Sequence, residues 1–113
     1  LVISVTFGNK FKCHLVGDLD KAGESRLLKE NTSIKADIFK IGHHGYQDAT
    51  SGEFLKAVSP EVAIISIGRK KPAEEVLTLL TQSNIKIYRT DKNKDITVKV
   101  NEKGEYLLSI CSN

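Results

Sequence analysis

Two short apolar runs in this chain end in glycine and then deliver side chains of metal-ligand type. One is Leu15-Val16-Gly17-Asp18; the other is Ile38-Phe39-Lys40-Ile41-Gly42-His43-His44-Gly45. A strand that finishes this way sets polar groups on the rim of a sheet, where two imidazoles and a carboxylate can converge. Asp18 offers a hard oxygen donor able to bridge two cations, and it would serve equally well as the N-cap of a following helix. Imidazole is the commonest transition-metal ligand and titrates near neutral pH. On extended backbone, adjacent residues point to opposite sides, so one of His43 and His44 would face a given site. Gly45 beside them suggests a close backbone approach or a positive φ. Such a rim belongs to a hydrolase or to the remains of one.

Other residues carry weaker signals. Tyr46 and Asp48 share the loop and could add a ligand or a substrate hydrogen bond, or simply be solvated. His14 lies in mid-strand and is expected to pack or to face solvent. Arg69, Lys70 and Lys71 follow the end of a strand and could hold phosphate, although three cations in a turn are also an ordinary solvated turn. Arg89 and Lys92 to Lys94 read the same way.

The elements that must position these groups follow from periodicity. Residues 1–7 and 11–16 alternate as strands around a Gly8-Asn9-Lys10 hairpin turn. Ala22, Leu27 and Leu28 then mark a short amphipathic helix that stops near residues 31–33. Residues 36–41 form a compact apolar strand. Thr50-Ser51-Gly52-Glu53 resembles a capping box opening a helix with Phe54, Leu55 and Val58 inward. Residues 62–67 are almost continuously apolar, as a strand buried on both faces should be. Pro72 is expected to start the next helix, whose Ala73, Val76, Leu77 and Leu80 share one face. Strands follow at 85–88, 96–100 and 106–110, the last two as an edge hairpin. The order β-β-α-β-α-β-α-β-β-β predicts an α/β layered domain over residues 1–113, with a mixed sheet and helices on one face. The other face then needs a cover.

Composition excludes several classes. The chain has 113 residues, and its 17 basic against 14 acidic side chains give a net charge of +3, far from a nucleic-acid-binding tail. No run approaches the ~20 apolar residues of a membrane span, and no signal-peptide pattern is present. A start at Leu1-Val2-Ile3 without methionine reads as a processed or excised piece. Cys13 and Cys111 are expected to be core thiols in a reducing setting. That suits either the cytoplasm or a soluble domain of a membrane protein.

Taken in order, the signals read strand-Gly-Asp-helix, strand-Gly-His-His-Gly, a buried strand ending in glycine, a proline-led helix, and Ile-Lys-Ile-Tyr-Arg-Thr-Asp. That order resembles the C-terminal half of the metallo-β-lactamase fold. Within that superfamily it is most similar to the hydrolase domain at the end of ComEC-type competence proteins, the DNA-uptake channel family. The likeness covers residues 1–98 and rests on the two rim motifs, extended upstream to Ala36-Asp37. It rests also on Phe54-Leu55-Lys56-Ala57-Val58-Ser59-Pro60, on Val62-Ala63-Ile64-Ile65-Ser66-Ile67-Gly68, and on Ile87-Tyr88-Arg89-Thr90-Asp91.

The resemblance implies a four-layer αββα sandwich in the complete domain, with two zinc or manganese ions between its sheets and hydrolysis of ester or phosphodiester bonds. Asp18 matches the aspartate that bridges the metals, and His43-His44 matches a His-His-Gly loop at the active-site edge. Asp18 and His44 would then be catalytic, Asp18, His43 and His44 metal ligands, and Arg69, Lys70 and Lys71 contacts to DNA phosphates. The chain departs from the family in three places. The His-x-[His/Asp]-x-Asp-His block of the N-terminal half is missing, Tyr46 stands where serine is usual, and the loop before Pro72 is short and lacks its Gly-His-Pro. A catalytic zinc wants about three protein ligands, so this chain alone should bind metal weakly and hydrolyse little. The expected partner is the N-terminal half of the fold, in the same protein or another chain, or a second copy; the segment itself should not touch a membrane. A degenerate relative that serves only for association is the alternative.

Overall fold

The computed structural model describes residues 2–30 and 33–110. A five-stranded sheet runs β1-β2-β3-β4-β5 in both sequence and space. Its strands are β1 (Ile3–Phe7), β2 (Phe11–Leu15), β3 (Ile38–Lys40), β4 (Val62–Ile65) and β5 (Lys86–Arg89). β1 pairs antiparallel with β2, and β2 to β5 are parallel. The sheet is therefore mixed, as the alternation of elements predicts. At the β1–β2 turn Gly8 and Asn9 both take positive φ, 58° and 57°, the conformation a tight hairpin demands.

Three helices fill the crossovers: α1 (Lys21–Glu30), α2 (Gly52–Val58) and α3 (Glu74–Gln82). Each connection moves one strand along in the same direction, and right-handed crossovers then place all three helices on one face. There Phe39, Ala63 and Ile65 of the strands, with Ile41 just past β3, pack with Phe54, Leu55, Val58, Val76 and Leu80 of the helices. The expected stop of α1 near residues 31–33 falls partly on residues 31 and 32, outside the described residues.

Three local expectations are corrected. α3 begins at Glu74 with Ala73 as its N-cap in extended backbone (φ −67°, ψ 139°), so Pro72 precedes the helix instead of opening it. The cap of α2 is Ser51, whose side chain accepts from the Phe54 amide at 3.1 Å. The reciprocal half of a capping box is absent, because the residue three along from Ser51 is Phe54; the Ser51 amide donates instead to Glu24 of α1. A short helix α4 (Thr90–Asn93) also follows β5, where the sequence has no helical period to reveal it.

The fourth correction concerns the open face. Strands β6 (Ile96–Val100) and β7 (Tyr106–Ile110) form their own two-stranded sheet instead of extending the edge of the first. Apolar residues alternate along β6, and on β7 Tyr106, Leu108 and Ile110 share one face with Leu107 alone on the other, which gives the hairpin one apolar face to bury. Val98, Val100, Tyr106 and Leu108 set that face against Phe11, Ile38 and Val62. Tyr106 meets Phe11 at a tilted 58° with ring centroids 5.6 Å apart. The chain therefore covers part of the face itself. What stays open is the stripe of Ile3, Val5 and Phe7 on β1 with Leu15 on β2, each between 37% and 46% exposed.

Candidate functional site

Because β2 to β5 are parallel, their C-terminal ends share one rim, the position where open α/β sheets gather ligands. At the end of β2 the chain turns through Gly17 (φ 59°), and the Leu19 amide closes the turn on the Val16 carbonyl at 3.1 Å. The neighbouring rim loop is bonded directly to this turn, the His43 amide donating to the Gly17 carbonyl at 2.8 Å. Gly42 permits that approach: a Cβ there would lie 3.0 Å from the Leu19 carbonyl oxygen and 3.2 Å from Val16.

Asp18 is exposed on this turn. It does not cap α1. Asp20 does, its Oδ1 accepting from the Gly23 amide at 2.9 Å, because the helix begins two residues later than a cap at Asp18 requires. Lys40, at the end of β3, is half-buried and donates to the Ile41 carbonyl at 3.2 Å. Burial pushes its amine below the usual lysine range, and the charge of Asp18 pulls it back up.

Both histidines lie in left-handed backbone, His43 at φ 46° and ψ 46°, His44 at φ 54° and ψ 23°. This overturns the premise of opposite directions, which holds for extended chain only. The two rings lie 6.4 Å apart and both neighbour Tyr46, at 4.8 Å and 5.8 Å. The His44 Nδ1 lies 2.8 Å from the Ser66 carbonyl oxygen, and the His43 Nδ1 lies 2.8 Å and 2.9 Å from the two Asp48 oxygens. These partners only accept, so each Nδ1 carries a proton, and Nε2 is the nitrogen left to bind a metal ion. A metal-ligating histidine is commonly oriented in this way by its other nitrogen.

The loop is held from two sides. Gly45 (φ 77°) lies against Pro72, where an added Cβ would sit 2.8 Å from the proline Cβ, and its carbonyl accepts from Ala73 at 2.9 Å. From below, the fully buried Glu24 of α1 accepts from the Thr50 amide at 2.6 Å and the Ser51 amide at 2.7 Å. Thr50 is itself left-handed (φ 62°), and its buried hydroxyl oxygen has no partner. A β-branched residue held in that region stores strain. Sequence reasoning passes over Glu24, since a glutamate in a helix normally faces water.

The expected cations separate. Lys70 and Lys71 line a hollow of about 380 Å³ together with His43, Tyr46, Gln47, Asp48 and Ala73. The Lys70 ammonium lies 5.2 Å from the centre of the Tyr46 ring. Arg69 is exposed and does not line the hollow. Arg89 is engaged with Asp91 through two bonds of 3.0 Å and 2.8 Å, and the arginine holds that carboxyl below its usual range. Asp18 and His44 lie on the rim but outside the hollow. Among the described residues no three His, Cys, Asp or Glu side chains gather closely enough to hold a metal ion.

His14 is buried and satisfied, its ring nitrogens 2.8 Å from the Ser4 hydroxyl and 2.7 Å from the Ile34 carbonyl, so of the two roles left open for it the structure shows packing. Cys13 is a half-buried free thiol whose pKa burial raises; Cys111 lies outside the described residues. No described helix is long and apolar enough to cross a membrane.

No protein-family model matches the chain. It is similar to ComE operon protein 3 of Bacillus subtilis (strain 168), 42% identical over 86 residues, covering 73% of this chain and 11% of that protein. It is also similar to Competence protein ComA of Neisseria gonorrhoeae, 40% identical over 82 residues, 68% of this chain and 12% of that protein. Recombination protein 2 of Haemophilus influenzae is 41% identical over 58 residues, 51% of this chain and 7% of that protein. The chain thus spans about a tenth of the length of these relatives. The likeness supports kinship with competence proteins.

Proposed function

We propose that this chain contributes the C-terminal half of a metallo-β-lactamase-type hydrolase module in a competence protein, acting on phosphodiester bonds of DNA. The names of two of the three relatives support the competence setting. The observation that carries the reading is the 2.8 Å bond from His43 to Gly17, which joins the Asp18 turn and the His-His loop into one rim. Asp18 is free of capping duty there, and each imidazole has its Nδ1 engaged and its Nε2 available.

These donors suit a divalent ion such as zinc or manganese, with Asp18, His43 and His44 as the ligands this chain would add to a set completed by another segment. Such ions supply Lewis acidity and activate water. In that arrangement the Ser66 carbonyl orients His44 and Asp48 orients His43. Lys70 and Lys71 draw the phosphate backbone in, and Arg69 adds exposed positive charge nearby, so binding falls as salt rises. The open stripe of Ile3, Val5, Phe7 and Leu15 is the surface on which an N-terminal half or a second copy would seat.

A second reading, a non-catalytic association module, is favoured by one observation: the described residues gather no metal trio by themselves. Calorimetric titration with zinc and with manganese separates the two. On the hydrolase reading the wild-type chain binds, and Asp18→Ala or His44→Ala each weakens binding about tenfold, equivalent to about 1.4 kcal/mol. Identical isotherms for the wild type and both variants would overturn the ligand assignment and leave the association module.

A further inference from the structure

Building on the reading that this rim handles DNA, we propose that the hollow beside His43 is a pocket for one nucleotide at the end of a strand. Its base would lie against Tyr46 and its phosphate between Lys70 and Lys71.

Size argues first. At about 380 Å³ the hollow is near the lower end of the ~300–1,000 Å³ typical of small-ligand sites. It suits a single nucleotide and not a duplex laid across it.

Chemistry argues next. Tyr46 is the one aromatic residue lining the hollow apart from the His43 imidazole. Its ring lies against that imidazole at 4.8 Å with an interplanar angle of 59°. His43 is in turn held by both oxygens of Asp48. That bond engages both oxygens of Asp48, the one carboxylate lining the hollow, so the carboxylate is turned to the imidazole.

Lys70 and Lys71 are both exposed, and among the described residues neither is ion-paired. Lys70 rests over the Tyr46 ring, 5.2 Å from its centre. The contact places side by side the two groups that an anionic, aromatic ligand would engage, a cation and a ring face. The flexible ammonium swings onto the phosphate, and the ring face it leaves receives the base. Stacking of a base on an aromatic side chain is worth about 1–3 kcal/mol and tolerates any sequence. The pocket therefore selects for a strand end or an unstacked base and is indifferent to which base it is.

The test is calorimetry in EDTA with thymidine 5′-monophosphate, thymidine and inorganic phosphate. Metal is excluded, so failure here leaves the metal-ligand reading untouched. The nucleotide is expected to bind about tenfold more tightly than either fragment. Tyr46→Ala removes that margin, Tyr46→Phe keeps it, and Lys70→Ala with Lys71→Ala abolishes binding of nucleotide and phosphate alike. A nucleotide that binds no better than inorganic phosphate overturns the proposal, as does a margin that survives Tyr46→Ala. If Tyr46→Ala does not fold, undiminished nucleotide binding by the double lysine variant overturns it equally.

Discussion

Replacing Glu24 with alanine probes how the rim loop is held. Two amide donors, Thr50 at 2.6 Å and Ser51 at 2.7 Å, lose a buried carboxylate acceptor. Hydrogen bonds to charged groups contribute about 1.5–3 kcal/mol each, so the gross loss is about 3–6 kcal/mol. Two terms reduce it. The desolvation cost of the buried carboxylate disappears, and Thr50, no longer pinned at φ 62°, relaxes and recovers about 1 kcal/mol. The expected net destabilisation is about 2–4 kcal/mol, a large share of the ~5–15 kcal/mol that holds a domain together. Urea unfolding followed by circular dichroism measures it. Hydrogen exchange at the Thr50 and Ser51 amides should rise even under native conditions. Glu24→Gln keeps a single acceptor oxygen and turns an amide donor toward the second N–H, so it should cost nearly as much. A Glu24→Ala midpoint equivalent to less than about 0.5 kcal/mol, the scatter of an ordinary surface substitution, would refute the reasoning.

Two further perturbations test other parts of the account. Asp20→Ala removes the cap of α1 and should cost about 1 kcal/mol in urea unfolding, whereas the exposed Asp18→Ala should stay within about 0.5 kcal/mol; the reverse order would restore Asp18 as the cap. The Tyr106 phenol is pushed up to about 12, first by burial and then by the Glu61 and Asp37 carboxylates. The fold favours its neutral form, so this contribution to stability is fully present below the ordinary phenol pKa of about 10 and disappears as pH rises to about 12. Absorbance titration at alkaline pH should show one late phenol that Tyr106→Phe removes.

Much of the rim was legible because its signals are local. Glycine at a strand end followed by Asp or His is a spacing within a few residues, and the order of strands and helices forces those ends together. Less legible were features settled by contacts far along the chain. The sequence reading offers Asp18 as a cap, and only the true start of α1 at Lys21 gives that role to Asp20. The left-handed turn at His43 and His44 sits among contacts to Gly17, Ser66 and Pro72, all more than twenty residues away in the chain. Glu24 has no local mark, since its partners lie 26 and 27 residues away. The pattern marks β6 and β7 as strands but does not place them, because alternation reveals that one face is apolar without saying which surface will cover it.

That hairpin also governs how the isolated chain behaves in solution. Val98, Val100, Tyr106 and Leu108 are each only partly buried where they meet the sheet, so it is the unit with least to lose by opening. Once it lifts, Phe11, Ile38 and Val62 become continuous with the bare stripe of Ile3, Val5, Phe7 and Leu15. That stripe ends at β1, which among the described residues is the edge of the sheet and pairs on one side only. A broad apolar surface ending in an open edge is a template on which further chains can add. The hairpin acts as a gatekeeper against aggregation, and turbidity on mild heating should follow its departure well before the helix-covered side of the sheet gives way.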